Sequence, residues 1–311
     1  MFKESIRSHL GAASARKHRL LVSLLAIGSW LGLGSTAQAC GGIAGATSPA
    51  FCFVSQIGGC AALPAFLAAN QPALAVTLVV DGQCGPYAQT LTLPGRMTLA
   101  GVGRDGSGEL LFQNLGANQP ALAIAAGQGF VQIRDVVVRN VSAAERGIGL
   151  RLHGNHQITL DRVRIDRFNI GVEGRQAYSV LINGSNISNN GTNLMLGLEA
   201  NSWRVRDNIL SRALGWGVVV RGPNNDVLLD GNRMESNLQG AVRLYSYGTI
   251  VSNNRFEFNG AGVGNLGVDV RPSAQDARIL HNFFSSDTIG DGGVSTRCAF
   301  NLNVVEPASC L

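Results

Sequence analysis

Two aspartates are the residues of this sequence best placed for acid–base chemistry. Asp207 and Asp230 occupy neighbouring positions of consecutive repeats, so stacking would bring their carboxylates to about 5–7 Å from each other. Glycoside hydrolysis uses carboxylate pairs at such separations. Arg206 and Arg233 lie beside them along the chain, and a ladder of salt bridges explains the two aspartates equally well. The sequence therefore offers one weak catalytic pair and leaves the structural alternative open.

A second set of residues could hold a carboxylated sugar. They share an outward position, or a nearby turn, of one predicted strand per repeat: Glu173, Trp216, Arg221, Arg243, Tyr245, Asp269 and Arg271. Arginine binds carboxylates through paired hydrogen bonds, and aromatic faces can stack on sugar rings. This set predicts a shallow saccharide groove, and the alternative is an ordinary solvated face.

The elements that would position these residues recur every 22 to 28 residues. A six-residue frame, apolar-x-x-Asn-x-apolar, starts at positions 133, 160, 182, 205, 229, 251 and 279. A second frame, Gly-apolar-x-apolar or a degraded form, follows it in the next part of most repeats. Such alternation predicts half-buried strands, so we expect two short strands per repeat. Units this small must stack on their neighbours to cover their apolar faces.

Asparagine at the fourth position of the first frame predicts a stacked column. Asn208, Asn232, Asn254 and Asn282 would lie one above the next, about 4.8 Å apart, if the repeats form parallel coils. Each amide could then bond the next, which satisfies groups that are costly to bury alone. We therefore interpret these four residues as a structural ladder.

Opposite charges occupy equal positions in adjacent coils and predict cross-strand ion pairs. The three predicted pairs are Arg134 with Asp161, Asp135 with Arg162, and Arg206 with Asp230.

The two ends of the chain differ from the repeats. Residues 1–39 have a basic start, an apolar run and an Ala-Gln-Ala sequence, typical of an export signal. Cys40 follows at once, so lipid attachment is the minority alternative. We expect residues 40–75 to form an N-terminal cap with disulfides and a short helix, residues 76–297 the repeats, and residues 298–311 a C-terminal cap.

The cysteines favour an oxidising compartment, either secreted or periplasmic. All six lie after residue 39 and cluster at the two ends: Cys40, Cys52, Cys60, Cys84, Cys298 and Cys310. Position along the chain predicts the Cys298–Cys310 disulfide and leaves the pairing of the other four open.

The coil length, the asparagine column and the segment TLTLPGRMTLAGVG (residues 90–103) resemble the pectate-lyase-like superfamily, and more narrowly the bacterial right-handed β-helix region proteins. The resemblance covers residues 60–297. It implies an all-β protein: a single-stranded right-handed parallel β-helix of about nine to ten coils with a short N-terminal helical cap.

The same resemblance implies an exported protein that binds an extracellular polysaccharide and could cleave it as a lyase or glycoside hydrolase. The alternative is a non-enzymatic structural or adhesion module of the cell envelope, because this fold carries many activities and none. No lysine follows residue 39, which excludes a lyase with a lysine base.

Charge and composition limit the partners. Without residues 1–39 the chain has 20 basic and 19 acidic residues, a net charge of +1, so we expect no nucleic acid partner. We also expect no membrane span, no cofactor, no metal site and a monomer. Asp287 and Asp291 could bind calcium weakly, although a Gly/Asp turn needs no ion.

Overall fold

Three parallel β-sheets wind around one core. The computed structural model describes residues 50–69, 76–102, 108–144, 146–261, 264–304 and 310. The predicted export signal and Cys40 therefore lie outside the described residues.

The chain visits the three sheets in turn, and each coil places one strand in each sheet. The first sheet contains Ala50–Phe53, Val76–Val80, Met97–Gly101, Gly129–Arg134, His156–Asp161, Tyr178–Asn183, Asn201–Arg206, Val227–Asp230, Ile250–Ser252, Arg278–Leu280 and Arg297–Ala299. The second contains Gln83–Tyr87, Glu109–Phe112, Val137–Asn140, Arg164–Asp166, Asn186–Ser188, Ile209–Ser211, Arg233–Glu235, Arg255–Glu257 and Phe283–Ser285. The third contains Leu91–Leu93, Pro120–Ile124, Ile148–His153, Ile170–Arg175, Thr192–Leu196, Trp216–Val220, Gly240–Leu244, Leu266–Val270 and Thr288–Asp291.

The resulting solenoid is right-handed and has about nine turns, as crossover connections between parallel strands favour. The predicted all-β parallel β-helix with a short helix near its N-terminus is confirmed.

The expectation of two strands per coil is wrong, because each coil has three. The six-residue frame crosses a corner: its first apolar residue is the last but one of a strand in the first sheet, and its last is an inward residue of the second sheet. The third residue of the frame makes the bend with a left-handed backbone, as at Asp135 (φ 56°), Arg162 (φ 52°) and Asp207 (φ 55°). Most strands of the second sheet have only three residues, too few to show alternation in the sequence.

The core is a continuous stack of inward side chains, one set per coil. Phe256 and Phe284 stack with ring centroids 4.7 Å apart. Trp203 is fully buried and donates its indole N–H to the carbonyl of Ala177 at 2.9 Å. Its ring fits because Gly174 faces it, and a Cβ there would lie 2.3 Å from the indole. Each coil thus covers the apolar face of the next.

The four asparagines of the first corner form a continuous hydrogen-bonded column. The backbone N–H and the Nδ2 of Asn208 both donate to Oδ1 of Asn232, each at 3.0 Å. Asn232 donates in the same way to Asn254, and Asn254 to Asn282, at 2.9–3.1 Å. Each Nδ2 also reaches a main-chain carbonyl of the preceding coil, such as Leu229 for Asn254. All four residues are 1% exposed, so the column lies inside the solenoid.

A second column lies at the next corner, five residues further along each coil. Asn237 donates its Nδ2 to Asn259 Oδ1 at 2.8 Å, and Asn259 donates its Nδ2 to Asp287 Oδ2 at 2.6 Å. The sequence carried the signal, since these positions follow the first column at a constant interval. Alanine and phenylalanine occupy the same position in other coils and hide the pattern.

The helix Leu63–Ala69 lies near the start of the solenoid and contacts Leu91–Leu93, the first strand of the third sheet. Two short 3₁₀ helices, Val54–Ile57 and Cys60–Ala62, precede it. Its Leu63 and Leu67 are buried in the core, so the helix covers apolar surface at this end.

Disulfides occur near both ends of the described chain. Cys60 pairs with Cys84 and Cys298 pairs with Cys310. In the described part of the chain, no helix is long and apolar enough to cross a membrane.

Candidate functional site

The outer face of the third sheet presents a column of side chains in strict register. Arg151, Glu173, Met195, Val219, Arg243 and Asp269 are successive Cα partners in adjacent strands. The second frame in the sequence therefore placed these six residues over one another. The register alone does not show which of these side chains are accessible to a ligand.

The aromatic part of the predicted groove is closed. The guanidinium of Arg243 lies over the Trp216 ring, 3.9 Å from its centre, and one edge of that ring packs against Gly240. Arg243 Nε is also 2.7 Å from Asp269 Oδ2. Trp216 is only 5% exposed, so its face is occupied by arginine and not presented for stacking on a sugar. Arg271 approaches the same carboxylate at 3.6 Å.

The remaining members of the predicted set are scattered around this cluster. Arg221 is exposed directly after the strand Trp216–Val220, and Tyr245 is half-buried one coil further on. Neither lines the clefts of the outer face described below.

Glu173 is buried between two arginines. Its Oε2 is 2.7 Å from Arg151 Nε in the preceding coil, and its Oε1 is 2.8 Å from Arg175 Nη2, two residues along the same strand. The carboxylate side chain is 2% exposed, whereas the arginines are 30% and 56% exposed. Glu173 therefore positions the two arginines and is not itself exposed to a substrate.

This clamp recurs on two outer faces. A buried carboxylate contacts one arginine of the preceding coil and one arginine two residues away along its own coil; the carboxylates are Asp166, Glu173, Glu257 and Asp269. Two arginine forks can engage both oxygens of one carboxylate. The local signal is Arg-x-Asp/Glu or its reverse, in register with an arginine one coil earlier, a pattern that sequence reasoning missed.

A cleft opens beside the clamp of Glu173. Arg151, His153, Arg175 and Asn118 line a space of about 400 Å³ on the outer face of the third sheet. The partner of Arg151 in the strand before it is Ala123, whose short side chain leaves room beside the guanidinium. We call this space the arginine cleft. With His153 neutral it carries a net charge of +1, from two arginines and Glu173.

Asp207 and Asp230 lie at the first corner, outside the arginine cleft. Asp230 pairs in register with Arg206 and accepts hydrogen bonds from Ser252 Oγ and Asn253 Nδ2, both at 2.8 Å. Asp207 makes the left-handed bend, and its Oδ1 is close to Gly231 of the next coil. These contacts account for both aspartates as structural residues of the corner. Their role as a catalytic pair stays a prediction.

Of the three predicted charge pairs, only Asp135 with Arg162 forms a salt bridge among the described residues. Arg162 Nε and Asp135 Oδ1 form the expected bridge at 2.7 Å. Arg134 instead approaches Asp135 at 3.6 Å, and Asp161 bonds Arg162. Among the described residues Arg206 forms no salt bridge. The register was right at all three positions, but the left-handed bend redirects the neighbouring side chains.

The two candidate calcium ligands have other partners. Asp287 accepts both hydrogen bonds from Asn259, and burial raises its pKa to about 6, with a further contribution from the charge of Glu257. Asp291 Oδ1 accepts from the Gly293 N–H and from Thr296 Oγ1, both at 2.9 Å. Across the described residues, no group of three or more His, Cys, Asp or Glu side chains is arranged to hold a metal ion.

Comparison with known protein families matches residues 127–305 to the model described as "Right handed beta helix region". That match covers more than half of the chain. The chain belongs to the right-handed β-helix family. A search of the curated proteins finds no match.

Solved structures with the same architecture come from several kinds of protein. An alginate lyase from Paenibacillus is 12% identical, with a TM-score of 0.65 over 84% of this chain and 99% of that one. The enzymatically active domain of a bacteriophage CBA120 tailspike protein is 9% identical, with a TM-score of 0.52 over 78% and 43%. The pectate lyase Pel9A is 12% identical, with a TM-score of 0.46 over 78% and 72%. At these identities the likeness shows the fold alone.

Proposed function

We propose that this β-helix protein is exported and binds an acidic polysaccharide in the arginine cleft. The observation that carries the proposal is the pair Arg151 and Arg175, held at the edge of an open cleft by one buried carboxylate. The η nitrogens of Arg151 have no hydrogen-bond acceptor among the described residues. They are thus available to a ligand carboxylate, which guanidinium groups bind through paired hydrogen bonds.

Glu173 makes this site selective for acidic sugars. It fixes two long side chains in advance and so lowers the entropy lost when a ligand binds. It also cancels one of the two positive charges, so the remaining charge of +1 matches a single ligand carboxylate. A uronic acid residue fits this charge balance, whereas a neutral sugar would leave the guanidinium groups without acceptors.

Export is supported by the sequence and by the disulfides. Residues 1–39 have the pattern of a cleaved signal, and the described chain contains two disulfides at its ends. The relatives in structure include an alginate lyase and a tailspike domain, which fits a carbohydrate-related role for this fold.

The cleft also contains the groups that a β-elimination needs. In this reaction Arg151 and Arg175 would neutralise the uronate carboxylate and so acidify the neighbouring C–H. His153 would take that proton, the C–O bond to the leaving sugar would break, and the leaving oxygen would gain a proton from water. The product would carry an unsaturated uronate at its new non-reducing end.

A structural module is the second candidate, and the closed cluster at Trp216 favours it. There Arg243 covers the Trp216 ring and pairs with Asp269, and the arginines of the second sheet contact carboxylates in the same way. A rigid rod with such faces would serve as a spacer or adhesion surface without binding sugar.

Binding separates the two candidates. Arg175→Gln should weaken binding to polygalacturonate or alginate about tenfold, measured by calorimetry at low salt, because it removes one charged donor. Arg255→Gln is the matched control, since Arg255 clamps Glu257 on the second sheet with a similarly exposed side chain. Equal affinities for the two variants, or no binding of any acidic polysaccharide by the unaltered protein, would remove the proposal.

Cleavage is tested by absorbance of unsaturated uronate during incubation with the same polymers. His153→Gln should abolish product formation and leave binding within about twofold, because the histidine acts only on the proton. Binding without product from the unaltered protein would reduce the function to recognition.

A further inference from the structure

A second cleft lies where the chain turns from the second sheet to the third. It has a volume of about 710 Å³ and extends over several coils. Its polar side chains are Asn169, Thr192 and Gln239, and Leu214 stands at its rim with 61% of its surface exposed. Among the described residues that line it there is no Asp, Glu, Lys, Arg or His, so this part of the lining differs in charge from the arginine cleft.

Two glycines form part of the lining where polar atoms converge. A Cβ on Gly215 would lie 3.6 Å from Thr192 Oγ1 and 3.8 Å from Gln239 Oε1, and only 2.9 Å from the carbonyl oxygen of Gly191. A Cβ on Gly191 would lie 2.9 Å from Asn169 Oδ1. The space is therefore open because no side chain fits there, and three side chains border it with hydrogen-bonding atoms.

Those three side chains are uncommitted. In the described residues, the amides of Asn169 and Gln239 and the hydroxyl of Thr192 have no hydrogen-bond partner within the protein. The asparagines of both corner columns, in contrast, are fully bonded. Amide and hydroxyl groups can both donate and accept, so they match the hydroxyl groups of a sugar.

We propose that this second cleft binds an uncharged sugar, independently of the arginine cleft. The amides and the hydroxyl would bond sugar hydroxyls, and Leu214 would contact the apolar C–H face of the ring. Binding sites for small polar ligands commonly combine apolar contact with a few polar groups in this way. A charged ligand would meet no counter-ion among the described lining residues and would lose its hydration without compensation.

The two clefts share one strand. Asn169 immediately precedes Ile170–Arg175, and Arg175 is its last residue. Six residues of extended chain span about 20 Å, so the sites are separate but on the same side of the coil. A heteropolysaccharide with both acidic and neutral residues could contact both, whereas a neutral oligosaccharide would occupy the second cleft alone.

The full-length mature protein is titrated with cellohexaose, maltohexaose and laminarihexaose, and binding is measured by calorimetry. We expect at least one of them to bind. Gln239→Ala and Thr192→Val should each weaken that binding about fivefold, because each removes one hydrogen bond. Gln275→Ala, an exposed glutamine of another coil, is the control and should not change it.

Arg175→Gln distinguishes this proposal from the proposed function. It should leave binding of the neutral oligosaccharide unchanged while it weakens binding of the acidic polymer. Absence of binding by all three oligosaccharides, or equal affinity of Gln239→Ala and Gln275→Ala, would overturn the second cleft and leave the arginine cleft untouched.

Discussion

Asp287 shows how one side chain can bring pH dependence into a structural column. It ends the series Asn237, Asn259, Asp287, and its two oxygens accept the N–H and the Nδ2 of Asn259 at 2.8 and 2.6 Å. Burial raises the pKa of this carboxyl from 3.8 to about 6, despite the opposing hydrogen bonds from Asn259. The folded protein therefore binds a proton that the unfolded chain releases between these two values.

The sign of the resulting pH dependence follows from that difference. Because the folded state holds more protons, the free energy of unfolding falls as the pH rises from about 4 through about 6. Asp287→Asn should remove this decrease, since an asparagine keeps the acceptor and has no charge. Urea unfolding of both proteins from pH 4 to pH 8 measures it, and the advantage of the variant should grow over that interval.

Asp226→Asn is the control with the opposite sign. Hydrogen bonds from Arg204 lower the pKa of Asp226, so this carboxylate stabilises the protein above its ordinary pKa and loses its effect as the pH falls. Two parallel pH profiles for the Asp287 and Asp226 variants would contradict the assignment of Asp287 as a buried carboxyl.

Arginine is the only basic residue of the predicted mature chain, apart from histidine, and the clamps give a reason. In each of the four clamps the buried carboxylate is shared by two arginines that reach it from different coils. A planar guanidinium fits one edge of a carboxylate, whereas an ammonium group is a point charge with a larger hydration cost. The sequence showed the composition, but the reason for it required the contacts.

At the scale of strands and corners, the first asparagine column holds neighbouring coils in register. Each side-chain amide bonds the main chain of the preceding coil and the amide of the next coil. The short strands of the second sheet follow directly from these corners, because the backbone is fixed just before each strand begins.

Asn254→Leu should lower the free energy of unfolding by about 3 kcal/mol, because it removes the acceptor of two buried Asn232 donors and the side-chain donor to the Leu229 carbonyl. Arg243→Ala is the comparison and should cost about 1 kcal/mol, since Asp269 keeps Arg271 nearby. Chemical denaturation gives both values. Equal losses would mean that the column does not carry the stability assigned to it.

The sequence predicted the first asparagine column and not the second, and the two corners explain the difference. The first column was readable from four asparagines at one position of the frame. In the second, Ala213 lies at the column position between coils that carry Asn190 and Asn237, and its N–H still donates to Asn237. Main-chain donors can maintain a column where the side chain is absent, so residue identity alone does not reveal it.

At the scale of the whole molecule, stability is divided along the solenoid axis. Each coil contacts its neighbours above and below, so a local change at one end should affect that end first. The Cys298–Cys310 disulfide connects the last strand of the first sheet, Arg297–Ala299, to the C-terminal segment.

Cys310→Ser, combined with Cys298→Ser to avoid a free thiol, should loosen this end. Amide hydrogens of Arg297–Ala299 should exchange at least tenfold faster, because closing a loop of this size contributes about 3 kcal/mol. Amides of Val227–Asp230, in the middle of the first sheet, should keep their rates. Uniform acceleration in both strands would show that the solenoid opens as a single unit.

The sequence by itself determined the architecture and the vertical order of side chains. In parallel stacked coils every position is repeated above itself, so a period of about two dozen residues fixes which residues are neighbours across coils. The column from Arg151 to Asp269 and the ladder from Asn208 to Asn282 were readable for that reason.

Only the tertiary structure decided which of these neighbours remain open to a ligand. That depends on contacts within a coil and around its corners, where left-handed bends such as Asp135 turn side chains in directions that a linear period does not encode. Trp216 and Arg243 close on each other, whereas Arg151 lies beside the small Ala123 and lines a cleft with Arg175. Whether an arginine is covered or lines an open cleft therefore depends on the volume of its neighbours and on the direction of the backbone, which the arginine's own position in the repeat does not reveal.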